Sequence, residues 1–133
     1  MTTFVDTSAL CALLASNDNN HSAAADWFNE VGHSGEEVLL THNYVVVECV
    51  ALMSRRLERG SVKALLDDFV PVMSIHYVDE PVHRSAVSAF LASGRSGPSL
   101  VDWVSFEVMR HGGIERAFAF DRHFSKQGFQ VVP

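Results

Sequence analysis

Short apolar runs broken by polar turns set the rhythm of this chain. Val38-Leu39-Leu40 is apolar on both faces, the pattern of a central parallel strand rather than a half-exposed one. Phe4-Val5, Met73 to Val78, Ala117 to Phe120 and Gln130-Val131-Val132 read as four more strands. Helical spacing fills the intervals. Ser8 is placed to cap a helix through Ala9–Leu14, and Ala24, Trp27, Phe28 and Val31 make one apolar face of a helix from His21 or Ser22 to Val31, broken at Gly32 to Gly35. A third helix is predicted from about Tyr44 to Glu58 with Gly60 as its stop, and a fourth from Val62 to Val70, stopped by Pro71. Asp79-Glu80-Pro81 leads a fifth to about Ala92, and Ser99 starts a sixth that runs to about Arg110 and ends at Gly112-Gly113. Strands alternating with helices predict an α/β fold: one domain over 1–133, with a central parallel sheet of about five strands flanked by helices on both faces.

Composition narrows the class without naming a function. The chain has 133 residues, 47% of them hydrophobic and 20% charged, which suits a packed core rather than disorder. No apolar stretch approaches the roughly eighteen residues of a membrane span, and no basic n-region with a cleavable apolar segment opens the chain. The expectation is a soluble cytoplasmic protein. Cys11 and Cys49 both lie in apolar runs without metal-type spacing and read as buried reduced thiols, a disulfide between them staying open. The net charge of −6 argues against a surface that is basic throughout. It conceals two basic windows, Arg55, Arg56, Arg59 and Lys63, then Arg110, Arg116, Arg122 and Lys126, each of which is either a solvated helix face or a guide for a phosphate backbone.

Four acids stand where acids are costly. Asp6 is the sole formal charge from Met1 to Asn17, Glu48 the sole one between Val38 and Ser54, and Asp102 the sole one between Ser96 and Phe106; Asp121 closes the apolar run Ala117 to Phe120. A desolvated carboxylate needs a positive or hydrogen-bonding answer. Asp6 and Asp121 also fit turn or cap positions after strands, and Ser99-Leu-Val-Asp102 also fits a capping box. Glu48 has the weakest such alternative, since no basic residue lies three or four positions away on its helix. Taken together the acids point elsewhere. Ligands of open parallel sheets bind beyond the carboxyl ends of the strands, and all four acids belong to segments that reach that rim. Two carboxylates 4 Å apart repel by about 4 kcal/mol at an effective dielectric near 20. An oxygen-preferring dication, Mg²⁺ or Mn²⁺, relieves that repulsion.

Other chemistries lack support. The seven His are scattered without zinc spacing, and His42, His76 and His111 read as surface or satisfied residues. His123, two residues after Asp121, has the best functional claim among them. No phosphate loop and no dinucleotide fingerprint occurs. Ser8 and Ser99 lack a triad context and read as caps or groups orienting ligands at the acidic rim.

Val5-Asp6-Thr7-Ser8, Asn20-His21-x-x-Ala24, Glu48 in an apolar helix, Ser99-Leu-Val-Asp102 and Phe120-Asp121-Arg-His-Phe124, in that order, resemble the PIN domain, and especially the VapC-type toxins of toxin–antitoxin pairs. The resemblance spans essentially the whole chain. It implies a five-stranded parallel sheet and an Mg²⁺- or Mn²⁺-dependent endoribonuclease. Asp6, Glu48, Asp102 and Asp121 would form its catalytic and metal-holding quartet, with Ser8 or Thr7 as the accompanying hydroxyl. It also implies a homodimer and a cognate antitoxin. Trp103 departs from the smaller residue common at its position, and either narrows the site or packs in the core.

The chemistry expected is metal-assisted hydrolysis of RNA phosphodiester bonds, with Glu48 or Asp121 taking a water's proton and Arg122, His123, Arg55 and Arg56 guiding the substrate. The rival from another class is a catalytically weak PIN-like module that binds a partner protein through its apolar helices; cation affinity that Asp6→Asn removes would separate the two. A Mg²⁺-dependent phosphatase of a different α/β fold fits less well, for no Asp-x-Asp motif follows the first strand.

Overall fold

The computed structural model describes residues 1–56 and 59–133, with Arg59 described in its backbone alone. Five strands form one sheet: β1 (Thr2–Val5), β2 (Val38–His42), β3 (Ser74–His76), β4 (Arg116–Phe118) and β5 (Gln130–Val132). Every pairing is parallel, and the spatial order is β3-β2-β1-β4-β5. Helices α1 (Thr7–Leu14), α2 (His21–Ser34), α3 (Asn43–Arg55), α4 (Arg59–Ala64), α5 (Glu80–Ser93), α6 (Leu100–His111) and α7 (His123–Lys126) connect the strands. Successive residues of a strand face opposite sides, so the burial of Thr3, Phe4 and Val5 in a row shows that β1 is covered on both faces. This is the reason its sequence runs apolar instead of alternating.

Aromatic side chains join the helices to the sheet. Trp27 of α2 lies 4.4 Å, centroid to centroid, from Phe118 of β4, and Phe106 of α6 meets the Phe124 ring edge-on at 5.1 Å. A second, smaller apolar cluster joins Val82 and Ala86 of α5 to Val104 and Val108 of α6. At the amino end of the sheet, Arg116 pairs with Glu37 and donates to Thr3 Oγ1. That contact ties β4 to β1 and to the start of β2, and it withdraws Arg116 from any shared basic surface. Arg110 is likewise engaged, lying over the Phe106 and Phe129 rings and bonded to Gln127, and Lys63 pairs with Asp67 at 2.5 Å. Arg116, Arg110 and Lys63 of the two basic windows are therefore each engaged within the fold, and the side chain of Arg59 lies outside the described residues.

Several boundaries differ from those predicted. Helix α3 ends at Arg55, its expected end at Glu58 lies outside the described residues, and Gly60 sits inside α4 instead of stopping a helix. An exposed helical glycine costs about 1 kcal/mol but need not terminate anything. Helix α2 likewise passes through Gly32 and stops at Gly35, whose φ of 65° is the left-handed cap that glycine adopts without strain. The helix expected over Val62 to Val70 is a composite. After α4 comes a wider turn, Leu65–Phe69, in which the Val70 N–H bonds the Leu65 carbonyl five residues back, and then a tight turn, Val70–Val72. Pro71 lies within that last turn, near its start, where the missing N–H is no loss. Strand β3 is shorter than Met73 to Val78, and β4 ends at Phe118, two residues before Phe120.

Candidate active site

The chain leaves β1 for β2 on one side and returns to β4 on the other. Strand order reverses between β1 and β4, and their carboxyl ends flank a crevice. Asp6 follows β1 directly and caps α1 in place of the expected Ser8, which lies inside the helix as its second residue; the Asp6 backbone N–H donates to the Phe118 carbonyl at 3.0 Å. Its Oδ2 accepts from the Ser8 backbone N–H at 3.1 Å and from the Ser8 hydroxyl at 2.6 Å. The same hydroxyl accepts from the Phe120 N–H at 2.9 Å. Ser8 thus stitches the acid after β1 to the loop that carries the acid after β4.

Asp121 begins the turn into α7, with Oδ1 accepting from the His123 N–H at 2.8 Å. Asp102 is the third residue of α6 and belongs to a complete capping box: its Oδ2 accepts from the Ser99 N–H at 2.9 Å, and Ser99 Oγ accepts from the Asp102 N–H at 3.1 Å. The cap and turn roles read in the sequence for Asp6, Asp102 and Asp121 are therefore all present. Each consumes one carboxylate oxygen. Among the described residues no hydrogen bond reaches the other oxygen, and no ion pair reaches these three acids or Glu48.

Asp6, Glu48, Asp102 and Asp121 line a single cavity of about 450 Å³. Asp102 and Asp121 of this lining form a close group with His123, which lies beside the cavity and does not line it, each of the three offering a ligand atom within 4.8 Å of the others. Asp6 and Glu48 lie outside that group. Burial pushes the Asp6 carboxyl up to about 7; the Ser8 bonds oppose the rise, and the charges of Asp102 and Asp121 add to it. Burial also raises Asp102, against the Ser99 amide and with help from Asp121. The site holds its negative charge reluctantly, and a cation relieves both causes at once. Carboxylate oxygens and one imidazole are hard or borderline donors, a set that fits Mg²⁺ or Mn²⁺ and lacks the thiolates that favour soft metals.

The remaining expected residues divide. Thr7, Ser8, Ser99 and Arg56 line the cavity, whereas Arg55 and Arg122 are exposed and do not. Among the described residues Thr7 Oγ1 is buried without a partner. Asp18 and Asn20 also line the cavity; Asn20 belongs to the Asn20-His21-x-x-Ala24 stretch of the resemblance, although neither was expected as a site residue. Trp103 resolves toward packing: its ring meets Phe106 edge-on at 5.4 Å, joining both apolar clusters. Cys11 and Cys49 are free and buried, and Cys11 borders the cavity. His42 is the satisfied histidine that the sequence suggests, capping α3 from a fully buried position.

A five-stranded parallel sheet with acids gathered at its switch point is the architecture of a PIN domain, and the chain belongs to that family, matching it over residues 3–130. Within the family it is similar to the 23S rRNA-specific endonuclease VapC20 of Mycobacterium tuberculosis, with 34% identity over 130 residues, 97% of this chain and 96% of that protein. The crystal structure of VapC20, described as a sarcin–ricin loop cleaving toxin, matches with a TM-score of 0.83 and 32% identity over the full length of both chains. The fold extends to more distant proteins. FitAcB from Neisseria gonorrhoeae matches at a TM-score of 0.71 with 13% identity, covering 100% of this chain and 97% of that one. VapBC2 from Rickettsia felis, bound to a DNA fragment of its promoter, matches at 0.70 with 10% identity, covering 98% and 97%.

Proposed function

We propose that this chain is a divalent-cation-dependent endoribonuclease, a hydrolase of RNA phosphodiester bonds, acting as the toxin of a toxin–antitoxin pair. One observation carries the reading: three aspartates at the switch point line a shared cavity, each commits one oxygen to a local amide, and none has a cationic partner among the described residues. Family membership and the extent of the VapC20 match support it.

Asp6, Asp102 and Asp121 are the residues to hold Mg²⁺ or Mn²⁺, with Glu48 at the same cavity. When bound, the cation neutralises charge on the phosphate and acidifies water at neutral pH. Glu48, outside the tight group and without a hydrogen bond among the described residues, is the carboxylate free to take the water's proton. Ser8 holds Asp6 in orientation, as Ser99 holds Asp102. Arg56, at the cavity wall, meets the phosphate backbone, with Arg55 and Arg122 on the flanks. Exposed Val47 and Leu91 offer apolar surface to an antitoxin or to a second copy in a homodimer. No helix among the described residues is long and apolar enough to cross a membrane, in keeping with a protein that works on RNA in the cytoplasm.

The test is incubation of purified protein with total RNA, and with 23S rRNA as the first defined substrate, with and without Mn²⁺, followed by mapping of the new 5′ ends. Asp6→Asn or Asp121→Asn is expected to lower cleavage roughly a hundredfold or more with the fold intact. Full activity in either variant rejects the assignment. Absence of cleavage together with absence of cation affinity favours the protein-binding module instead.

A further inference from the structure

We infer that His123 is a nitrogen ligand of the cation in this site and that it makes the centre select Mn²⁺ over Mg²⁺. The inference rests on the reading above, in which the acids hold a dication, and goes beyond it in naming a donor that is not an acid.

Three observations point to the imidazole. A ring nitrogen of His123 lies within 4.8 Å of carboxylate oxygens of both Asp102 and Asp121. Donors around one ion with bonds near 2.1 Å sit about 3 Å apart when adjacent and about 4.2 Å apart when opposite, so the trio closes on a cation by side-chain adjustment, adjacent donors approaching by at most about 1.8 Å. The ring is also unengaged. The other histidines that are not exposed all have a ring nitrogen hydrogen-bonded: His21 to the Ala12 carbonyl, His42 to Ser105 Oγ and His83 to the Tyr44 hydroxyl. His123, half-buried, has no ring hydrogen bond and no ring stacking among the described residues. Finally, the backbone fixes the approach of the ring. The His123 N–H is bonded to Asp121 Oδ1, so the turn that aims one ligand also positions the other.

Thr7 supplies an independent sign that the cavity expects a polar guest. It lines the cavity, and among the described residues its hydroxyl is buried without a hydrogen-bond partner, a polar group that a ligand can satisfy once the wall adjusts around it. Imidazole then decides between the two candidate ions. Mg²⁺ takes oxygen donors and rarely nitrogen, whereas Mn²⁺ accepts imidazole and stands above it in affinity for mixed nitrogen–oxygen sites.

Calorimetry and electron paramagnetic resonance on the full chain, loaded with Mn²⁺ alone or Mg²⁺ alone, test this. In the wild type, electron spin-echo modulation from a directly coupled ¹⁴N is expected on bound Mn²⁺. His123→Gln is expected to abolish it, to weaken Mn²⁺ binding on the order of tenfold and to change Mg²⁺ binding by less than about twofold. Mn²⁺ bound without ¹⁴N coupling, or a His123→Gln protein with the same Mn²⁺-to-Mg²⁺ preference as wild type, overturns the inference while the acid site stands; His123 would then face substrate. A wild type that binds neither ion, or binds both as tightly after Asp6→Asn, overturns the acid site and the inference together.

Discussion

Ser8 shows how much of the site rests on one hydroxyl. Its proton goes to Asp6 at 2.6 Å and its oxygen accepts from the Phe120 amide at 2.9 Å, so it fixes the first acid and the loop of the fourth simultaneously. Ser8→Ala removes both contacts. It leaves the Phe120 N–H unpaired, at a cost of about 1–3 kcal/mol, and removes a bond that lowers the Asp6 pKa, already raised to about 7. The expected result is a lower urea midpoint together with weaker Mn²⁺ binding at pH 7, the deficit shrinking toward pH 9 as Asp6 loses its proton. Ser8→Thr, which keeps the hydroxyl, is expected to retain both properties, and parallel calorimetric titrations at the two pH values check this. The sequence marks Ser8 as a cap or an orienting group. It does not reveal the bridge, because the second partner lies 112 positions away and a backbone amide leaves no trace in residue identities.

At the level of elements, the start of α6 separates a structural from a chemical use of the same acid. The capping box needs the Ser99 hydroxyl and one oxygen of Asp102, and a dication needs the other oxygen and the charge. Ser99→Ala is therefore expected to cost about 1 kcal/mol and a few degrees in Tm, seen by thermal melts with or without metal. Asp102→Asn keeps an acceptor for the Ser99 amide, removes a charge that burial and Asp121 disfavour, and is expected to melt at or above the wild type in metal-free buffer while losing cation affinity. If Asp102→Asn melts well below wild type in metal-free buffer, the acid is there for the cap alone. This double use explains what sequence reading handled well and what it missed. The apolar runs and the Ser99–Asp102 spacing are local signals, and they placed β1, β2, α5 and α6 closely. Gly60 and Pro71 misled because punctuation residues bias a helix without deciding it; the turn through Leu65–Phe69 is held by tertiary contact, with Leu65 fully buried and Phe69 against Phe28 at 5.3 Å. The four lone acids were visible because each stands in an apolar run. Asp18 and Asn20 stand in the polar stretch Asn17-Asp18-Asn19-Asn20, where nothing local sets a site residue apart from a solvated one, and the resemblance at Asn20-His21-x-x-Ala24 gave them no role.

Across the whole molecule, the sheet order that gathers the acids also sets two buried titrations against each other. His42 ends β2 and caps α3, with Nε2 at 2.8 Å from Ser105 Oγ; burial, with the charge of His76 adding, pushes its pKa down to about 3 from the ordinary 6.5. As pH falls from 6.5 toward 3 the unfolded chain takes up a proton that the fold refuses, so His42 removes stability on the acid side. Asp6 acts in the opposite sense. Its folded pKa of about 7 exceeds the ordinary 3.8, so between those values the fold binds the extra proton, and stability contributed there is lost as pH rises through 7. In the metal-free protein the two slopes oppose one another between about pH 4 and 6.5, and above that range the penalty of the ionised Asp6 stands alone. Asn keeps the cap of α1 and has no charge to desolvate. The stability of Asp6→Asn relative to wild type is therefore expected to be near zero at pH 4 and to grow to as much as about 4 kcal/mol by pH 8, a difference in which His42 cancels. Urea titrations in chelator at half-unit pH steps measure it directly. Saturating Mn²⁺ is expected to close the gap from the wild-type side only, because a ligand stabilises the form that binds it. A gap independent of pH, or one that Mn²⁺ leaves unchanged, means that the Asp6 charge is answered by something other than a cation.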